Sequence, residues 1–167
     1  MLNLATLLEI SARRDPGKVA VIFDDMKLRY AEVNGAANKI ANGLVGMGVR
    51  PGDKVALMLP NTPHFVICYY AILKLGATVV PMNVLFKRHE VGYHLDDSDA
   101  VALIVWEGFL GEAAEGFAQA KNCRNLIVAP AYSRAFITHV CPKEWNNGST
   151  ARPTSSELVC RIFSEPI

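Results

Sequence analysis

The sequence predicts an α/β fold: an open, mainly parallel sheet flanked by helices, preceded by one helix and a β-hairpin. Three observations predict it. Apolar runs without polar alternation, such as Val101-Ala-Leu-Ile-Val105 and Asn125-Leu-Ile-Val-Ala129, read as strands buried on both faces. Segments with helical spacing separate those runs and supply the crossovers that parallel strands require. Turn-forming residues, among them Pro51-Gly52-Asp53 and Gly76, punctuate the boundaries.

The elements follow in order. Leu4, Leu7, Leu8 and Ala12 recur at helical spacing across the first fifteen residues, and Asp15-Pro16-Gly17 stops that helix. Val19–Phe23, a turn at Asp24-Asp25 and Lys27–Tyr30 make a hairpin. From Ala31 to Met47, Val33, Ala36, Ala37, Ile40, Ala41 and Leu44 build one apolar stripe that Gly48 ends. Strand 54–59, helix 65–75, strand 77–81, helix 90–95, strand 101–105, helix 109–120 and a last strand 125–129 complete the rhythm. Residues 1–130 therefore form one subdomain. Residues 131–167, with the turn-rich run Asn146–Ser156, form a divergent tail expected to pack irregularly.

Composition excludes several classes. The 167 residues are 51% hydrophobic and 20% charged, a globular balance. A net charge of +1 offers no basic field for nucleic acid. Met1–Ile10 lacks the basic start of a secretory leader, and the apolar run 65–81 is interrupted by Lys74 and Gly76. A cytoplasmic chain without a membrane span is expected. Cys68, Cys123, Cys141 and Cys160 lack metal-ligand spacing and are expected to be free thiols.

Several motifs fail on geometry. Gly43, Gly46 and Gly48 close a helix, whereas a dinucleotide fingerprint opens one. His89 and His94 stand five apart, a spacing that does not share one helical face, and Glu90 with His94 reads as an exposed i,i+4 pair. Asp96, Asp97 and Asp99 fall at a helix-to-strand turn, where Asp is favoured for its turn-forming side chain. Asn147-Gly148-Ser149 has the form of a glycosylation acceptor but reads as a turn in a chain not expected to be secreted. No catalytic residue and no metal ligand is nominated, and cofactor-binding residues remain unassigned.

Longer motifs carry a resemblance. Leu59-Pro-Asn-Thr-Pro-His-Phe together with Leu73-Lys-Leu-Gly-Ala-Thr-Val-Val-Pro-Met-Asn83 resembles "LPN-x-P-E-F … LK-x-GA-x-x-x-P-x-N" of adenylate-forming enzymes. Glu90–Ala100 resembles their "E-L-x-Y-x-L-x-D-S-x-A", and Leu28–Val33 their "L-T-Y-x-E-L". The likeness covers residues 2 to 129, and Val84–Arg88 looks most like bacterial long-chain fatty acid–CoA ligases. Leu85 stands where some relatives carry an arginine that helps hold coenzyme A, and the neighbouring Lys87 and Arg88 read as a solvated helix start.

The resemblance implies a two-step reaction using ATP, Mg²⁺ and coenzyme A. A fatty acid carboxylate attacks the α-phosphate, pyrophosphate leaves, and the thiol then displaces AMP. Backbone N–H groups, a cation and Mg²⁺ must meet the phosphoryl charge. The family draws these from a "T-S-G-T-T-G-x-P-K-G" loop and from later segments. Gly148–Ser155 can be laid over that loop, but Ala151, Thr154 and Ser155 replace its second glycine, its lysine and its closing glycine. The expectation is an N-terminal fragment, inactive alone and binding none of these cofactors. Alternatives are a non-catalytic module binding acyl chains or proteins, with self-association through exposed apolar surface, and a fragment of an aryl-CoA or luciferase-like ligase.

Overall fold

Caps and turns set the element boundaries in the computed structural model, which describes residues 3–130 and 139–142. The described residues divide into two units. One runs to Asp53 and includes Asn61–Val79; the other comprises Lys54–Pro60 and the described residues from Val80 onward.

The first unit begins with α1 (Ala5–Arg14), followed by strands β1 (Val19–Phe23) and β2 (Met26–Arg29). The two strands pair antiparallel across Asp24, whose φ of 48° is left-handed. Asp is one of the few residues that tolerate that region. Helix α2 (Tyr30–Gly46) starts where the Glu32 carboxylate accepts the Arg29 N–H at 2.7 Å. It buries Val33, Ala36, Ala37, Ile40, Ala41 and Leu44, the stripe the sequence predicts. Helix α3 (Pro63–Leu75) carries Pro63 in its first turn, where a missing N–H is harmless. It ends at Gly76, whose φ of 83° favours glycine. Helix α1 packs on both α2 and α3.

The second unit holds β3 (Lys54–Met58), α4 (Arg88–Asp97), β5 (Ala100–Trp106), a 3₁₀ turn (Glu107–Phe109), α5 (Leu110–Gln119), β6 (Asn125–Ala129) and β7 (His139–Pro142). β4 (Thr78–Pro81) spans the division between the units. The sheet order is β4-β3-β5-β6-β7. β3, β5 and β6 pair parallel, and β7 closes on β6 antiparallel. Thr78 N–H donates to Asp53 C=O and Met82 N–H to Leu57 C=O, so β4 also advances parallel to β3. The open, mainly parallel sheet is as predicted. The sequence reading ended its strands at Ala129, and β7 is an addition in a segment without apolar alternation. Other expectations for the tail lie outside the described residues.

Strand burial on both faces is confirmed. Ala56 and Met58 of β3, Leu103 and Val105 of β5, and Leu126 and Val128 of β6 meet Val91, Leu95, Ala113 and Phe117 in one core. The alternate residues Val55, Leu57, Ala102, Ile104 and Ile127 are equally sealed. Each large side chain withdrawn from water contributes about 1.5–3 kcal/mol. Helices α4 and α5 pack closely because Gly116 is small: a Cβ there would lie 2.6 Å from both the Arg88 carbonyl oxygen and Val91 Cβ. Among the described residues no helix is long and apolar enough to cross a membrane.

Candidate functional site

In an open parallel sheet, ligands bind beyond the carboxyl ends of the strands, where the strand order reverses. Here the chain steps from β3 outward to β4, then returns to place β5 on the other side of β3. The switch therefore lies between β3 and β5. Met58 pairs with Val105 and Trp106 with Ala129, so the strand ends are nearly level. Within the second unit the segments after β4 and β5 leave from this rim.

Both segments are fixed by local chemistry. After β4, Asn83 Oδ1 accepts the Leu85 N–H at 3.0 Å, and its carbonyl accepts the Phe86 N–H at 3.2 Å. This side-chain-plus-backbone turn is what Asn favours. It sends Leu85 outward, 73% exposed, while Phe86 stacks on His94 at a centroid distance of 4.6 Å. After β5, the Trp106 ring lies over Gly108, and a Cβ at that glycine would collide with it. Phe109 meets the same ring edge-on at 5.0 Å. The rim is thus aromatic and turn-built.

The charged residues of this rim are already engaged. Lys87 Nζ stands 3.6 Å from Glu112, and Arg88 donates to Glu115 at 2.8 Å. Glu112 also accepts the Arg88 backbone N–H at 2.9 Å, capping α4 from the neighbouring helix. That backbone hydrogen bond, aided by Lys87 and Arg88, holds the Glu112 carboxyl below its ordinary value. Hydrogen bonding and charge from Glu115 push Arg88 further up. Lys87 and Arg88 therefore join α4 to α5.

Other sequence readings resolve as follows. Glu90 and His94 do not form the expected pair: Glu90 accepts the Lys87 N–H at 2.8 Å, while His94 stacks on Phe86. The Lys87 N–H at the helix start lacks an intrahelical partner and takes the Glu90 carboxylate, while Phe86 holds the half-buried imidazole. Asp96 accepts the Lys121 N–H at 2.7 Å. Asp99, at φ 52°, turns the chain into β5 and stands 3.6 Å from Lys54. Asp99 thus serves a turn, as read, whereas Asp96 lies in α4 and ties it to the start of the connection that follows α5. Gly48, at φ 80°, follows the end of α2. Cys68 and Cys123 are buried, and burial pushes the Cys68 thiol up to about 12. No group of three His, Cys, Asp or Glu that could hold a metal occurs among the described residues. Gly148–Ser155 and Asn147 lie outside them.

Sequence reasoning gave His64 no role. It occupies the first turn of α3, in the place of the glutamate in "LPN-x-P-E-F", and burial pushes its pKa down. Burial thus favours its neutral imidazole form. Only the unusual residue in the motif pointed to it.

Among the described residues, the rim cations Lys87 and Arg88 stand beside the carboxylates of Glu112 and Glu115, and the loops between them carry Phe86, Trp106 and Phe109.

Comparison with known proteins agrees with the fold. The family model of the AMP-binding enzyme matches residues 8–162, further than the motifs legible by eye. A long-chain-fatty-acid–CoA ligase of Bacillus subtilis is 41% identical over 102 residues, covering 61% of this chain and 18% of that protein. Triostin synthetase I of Streptomyces triostinicus is 39% identical over 108 residues, covering 65% and 20%. The crystal structure of an anthranilate CoA ligase bound to anthranoyl-AMP superposes with a TM-score of 0.73 at 31% identity, over 76% of this chain and 25% of that one. The chain spans about a fifth of the length of such curated relatives. A family match across nearly the whole chain, on a sheet of the expected order, settles its membership: this chain belongs to the AMP-binding, adenylate-forming enzyme family.

Proposed function

We propose that this chain is the N-terminal part of an AMP-forming fatty acid–CoA ligase of the cytoplasm, and that these 167 residues alone complete neither half-reaction. The observation behind the second clause is the rim itself. Lys87 and Arg88 are engaged by Glu112 and Glu115, so the described residues hold no free cradle for phosphoryl charge. Their role is to hold the sheet on which the rest of an intact ligase would build its ATP, Mg²⁺ and coenzyme A sites. The fatty acid class rests on the similarity to the Bacillus subtilis ligase and on Val84–Arg88.

A second reading, an aryl acid or amino acid as the activated carboxylate, draws on the likeness to the anthranilate ligase and to triostin synthetase I. One experiment tests the first reading. Residues 5–129 replace the matching stretch of the Bacillus subtilis ligase, and the chimera is assayed with fatty acids, ATP, Mg²⁺ and coenzyme A. Retained acyl-CoA formation supports the part this chain plays in such a ligase. A folded chimera that forms no acyl-CoA overturns it. The 167-residue chain, assayed beside it with ATP, Mg²⁺ and coenzyme A, is expected to release no pyrophosphate, and release would overturn the second clause.

A further inference from the structure

We infer that the outer face of α1 is a docking surface for an anionic lipid bilayer. Leu4, Leu7 and Ile10 are 51%, 55% and 51% exposed, while Ala5 and Leu8 on the other side are buried. At 3.6 residues per turn the three aliphatic residues fan over about a third of the helix circumference, and Arg14 falls in line with Leu7. Arg13 lies beside Ile10 on the same reckoning. An apolar stripe that runs into arginines is the pattern of a helix lying in the plane of a membrane interface.

The helix cannot turn that stripe inward. Asn3 Nδ2 donates to the Leu73 carbonyl at 2.7 Å, and Glu9 is held by Lys74 at 2.7 Å. Both fastenings lie at the end of α3, so α1 offers one fixed, convex face. A deep groove in a protein partner needs a helix that can enter it; a bilayer surface needs only that face.

Charge also argues against a second copy of this chain. An antiparallel pairing of two α1 helices would bring Arg13 and Arg14 against the partner's first turn, which contains no acidic residue. A parallel pairing would set arginine against arginine. Lipid phosphates meet both side chains, which are 76% and 78% exposed. Each has a carboxylate with which a lipid phosphate must compete: Glu9, shared with Lys74, is 3.8 Å from Arg13, and Asp15 accepts a hydrogen bond from Arg14 Nε at 2.8 Å. The attraction is of the screened, surface kind and weakens with salt.

The test uses the full chain and co-sedimentation with vesicles of phosphatidylcholine, with and without one-third phosphatidylglycerol. Binding to the anionic vesicles is expected, with little to the neutral ones. Leu7→Glu should weaken it roughly tenfold, since an apolar contact becomes a repelled charge. Arg14→Ala should weaken it roughly fivefold. Leu7 is exposed, so an unchanged circular dichroism melt certifies that the variant folds. Absence of sedimentation, equal binding to neutral vesicles, or wild-type binding by Leu7→Glu overturns the inference. So does a concentration-dependent dimer that Leu7→Glu abolishes, which would assign the face to a second copy.

Discussion

Lys74 Nζ lies 2.7 Å from Glu9 Oε1, with only 7% of the lysine side chain exposed. The hydrogen bond and charge of Lys74 lower the Glu9 pKa from 4.5. Glu9→Gln leaves the sealed ammonium without its counter-charge. Because Glu9 is 40% exposed, solvent screens the pair, and a loss of about 1 kcal/mol is expected at pH 7. A depressed carboxyl contributes stability above its unfolded pKa and loses it as pH falls through the folded value. The gap between wild type and variant in urea melts should therefore be full at pH 7 and shrink below pH 4.5. A gap independent of pH would show that the charge is not responsible.

Gly116→Ala and Gly111→Ala place the same methyl on α5 with opposite expectations. At Gly116 the Cβ meets Val91 Cβ and the Arg88 carbonyl at 2.6 Å, whereas nothing lies within 4 Å of Gly111. Overpacking costs about 1–3 kcal/mol, so Gly116→Ala should lower the melting temperature by several degrees. Gly111→Ala gains helix propensity and should be neutral or stabilising by up to about 1 kcal/mol. Similar effects from both would deny the close approach of α4 and α5.

Gly108→Ala drives a methyl into the Trp106 ring. The ring is half-buried and can swing away from Phe109, so the penalty should stay at the lower end of about 1–3 kcal/mol. The clearer signal is optical: loss of the edge-on contact should change the near-ultraviolet circular dichroism. An unchanged spectrum would mean the ring does not cover Gly108.

Cys68 and Cys123 should resist alkylation in the native chain. Both are buried, and the Cys68 thiol stands at about 12, so little thiolate exists at pH 8. Peptide mass spectrometry after iodoacetamide treatment should find them modified only in denaturant. Rapid native labelling of Cys68 would show that its part of α3 opens easily.

Much of this architecture was legible because single residues carried it. Gly76 marked the end of α3, and the uninterrupted run at 101–105 marked a strand buried on both faces. Boundaries moved where a cap outweighed periodicity: α4 begins at Arg88, two residues before the expected start, because Glu90 reaches back to the Lys87 N–H. The separate destinies of Glu90 and His94 were not legible. Helical spacing places them together, but Phe86 and the Lys87 N–H come from the preceding loop, and loop geometry leaves no periodic trace. Glu112 capping α4 was hidden for a similar reason, since its partner is 24 residues away and on another helix. The rim gave no catalytic signature to sequence reading.

The pairing of β3 with β5 also imposes a schedule on synthesis. β4 can join β3 as soon as the α3 crossover is complete, but Lys54 waits for Ala100 and Met58 for Val105. Until those residues leave the ribosome, one edge of β3, apolar after Lys54, stays open to any passing backbone. Closing so long a loop before the contact yields stability makes this the slow step of folding. A pause in translation before Val105 has emerged from the ribosome would prolong the vulnerable interval, and one after it has emerged would let the sheet close in safety.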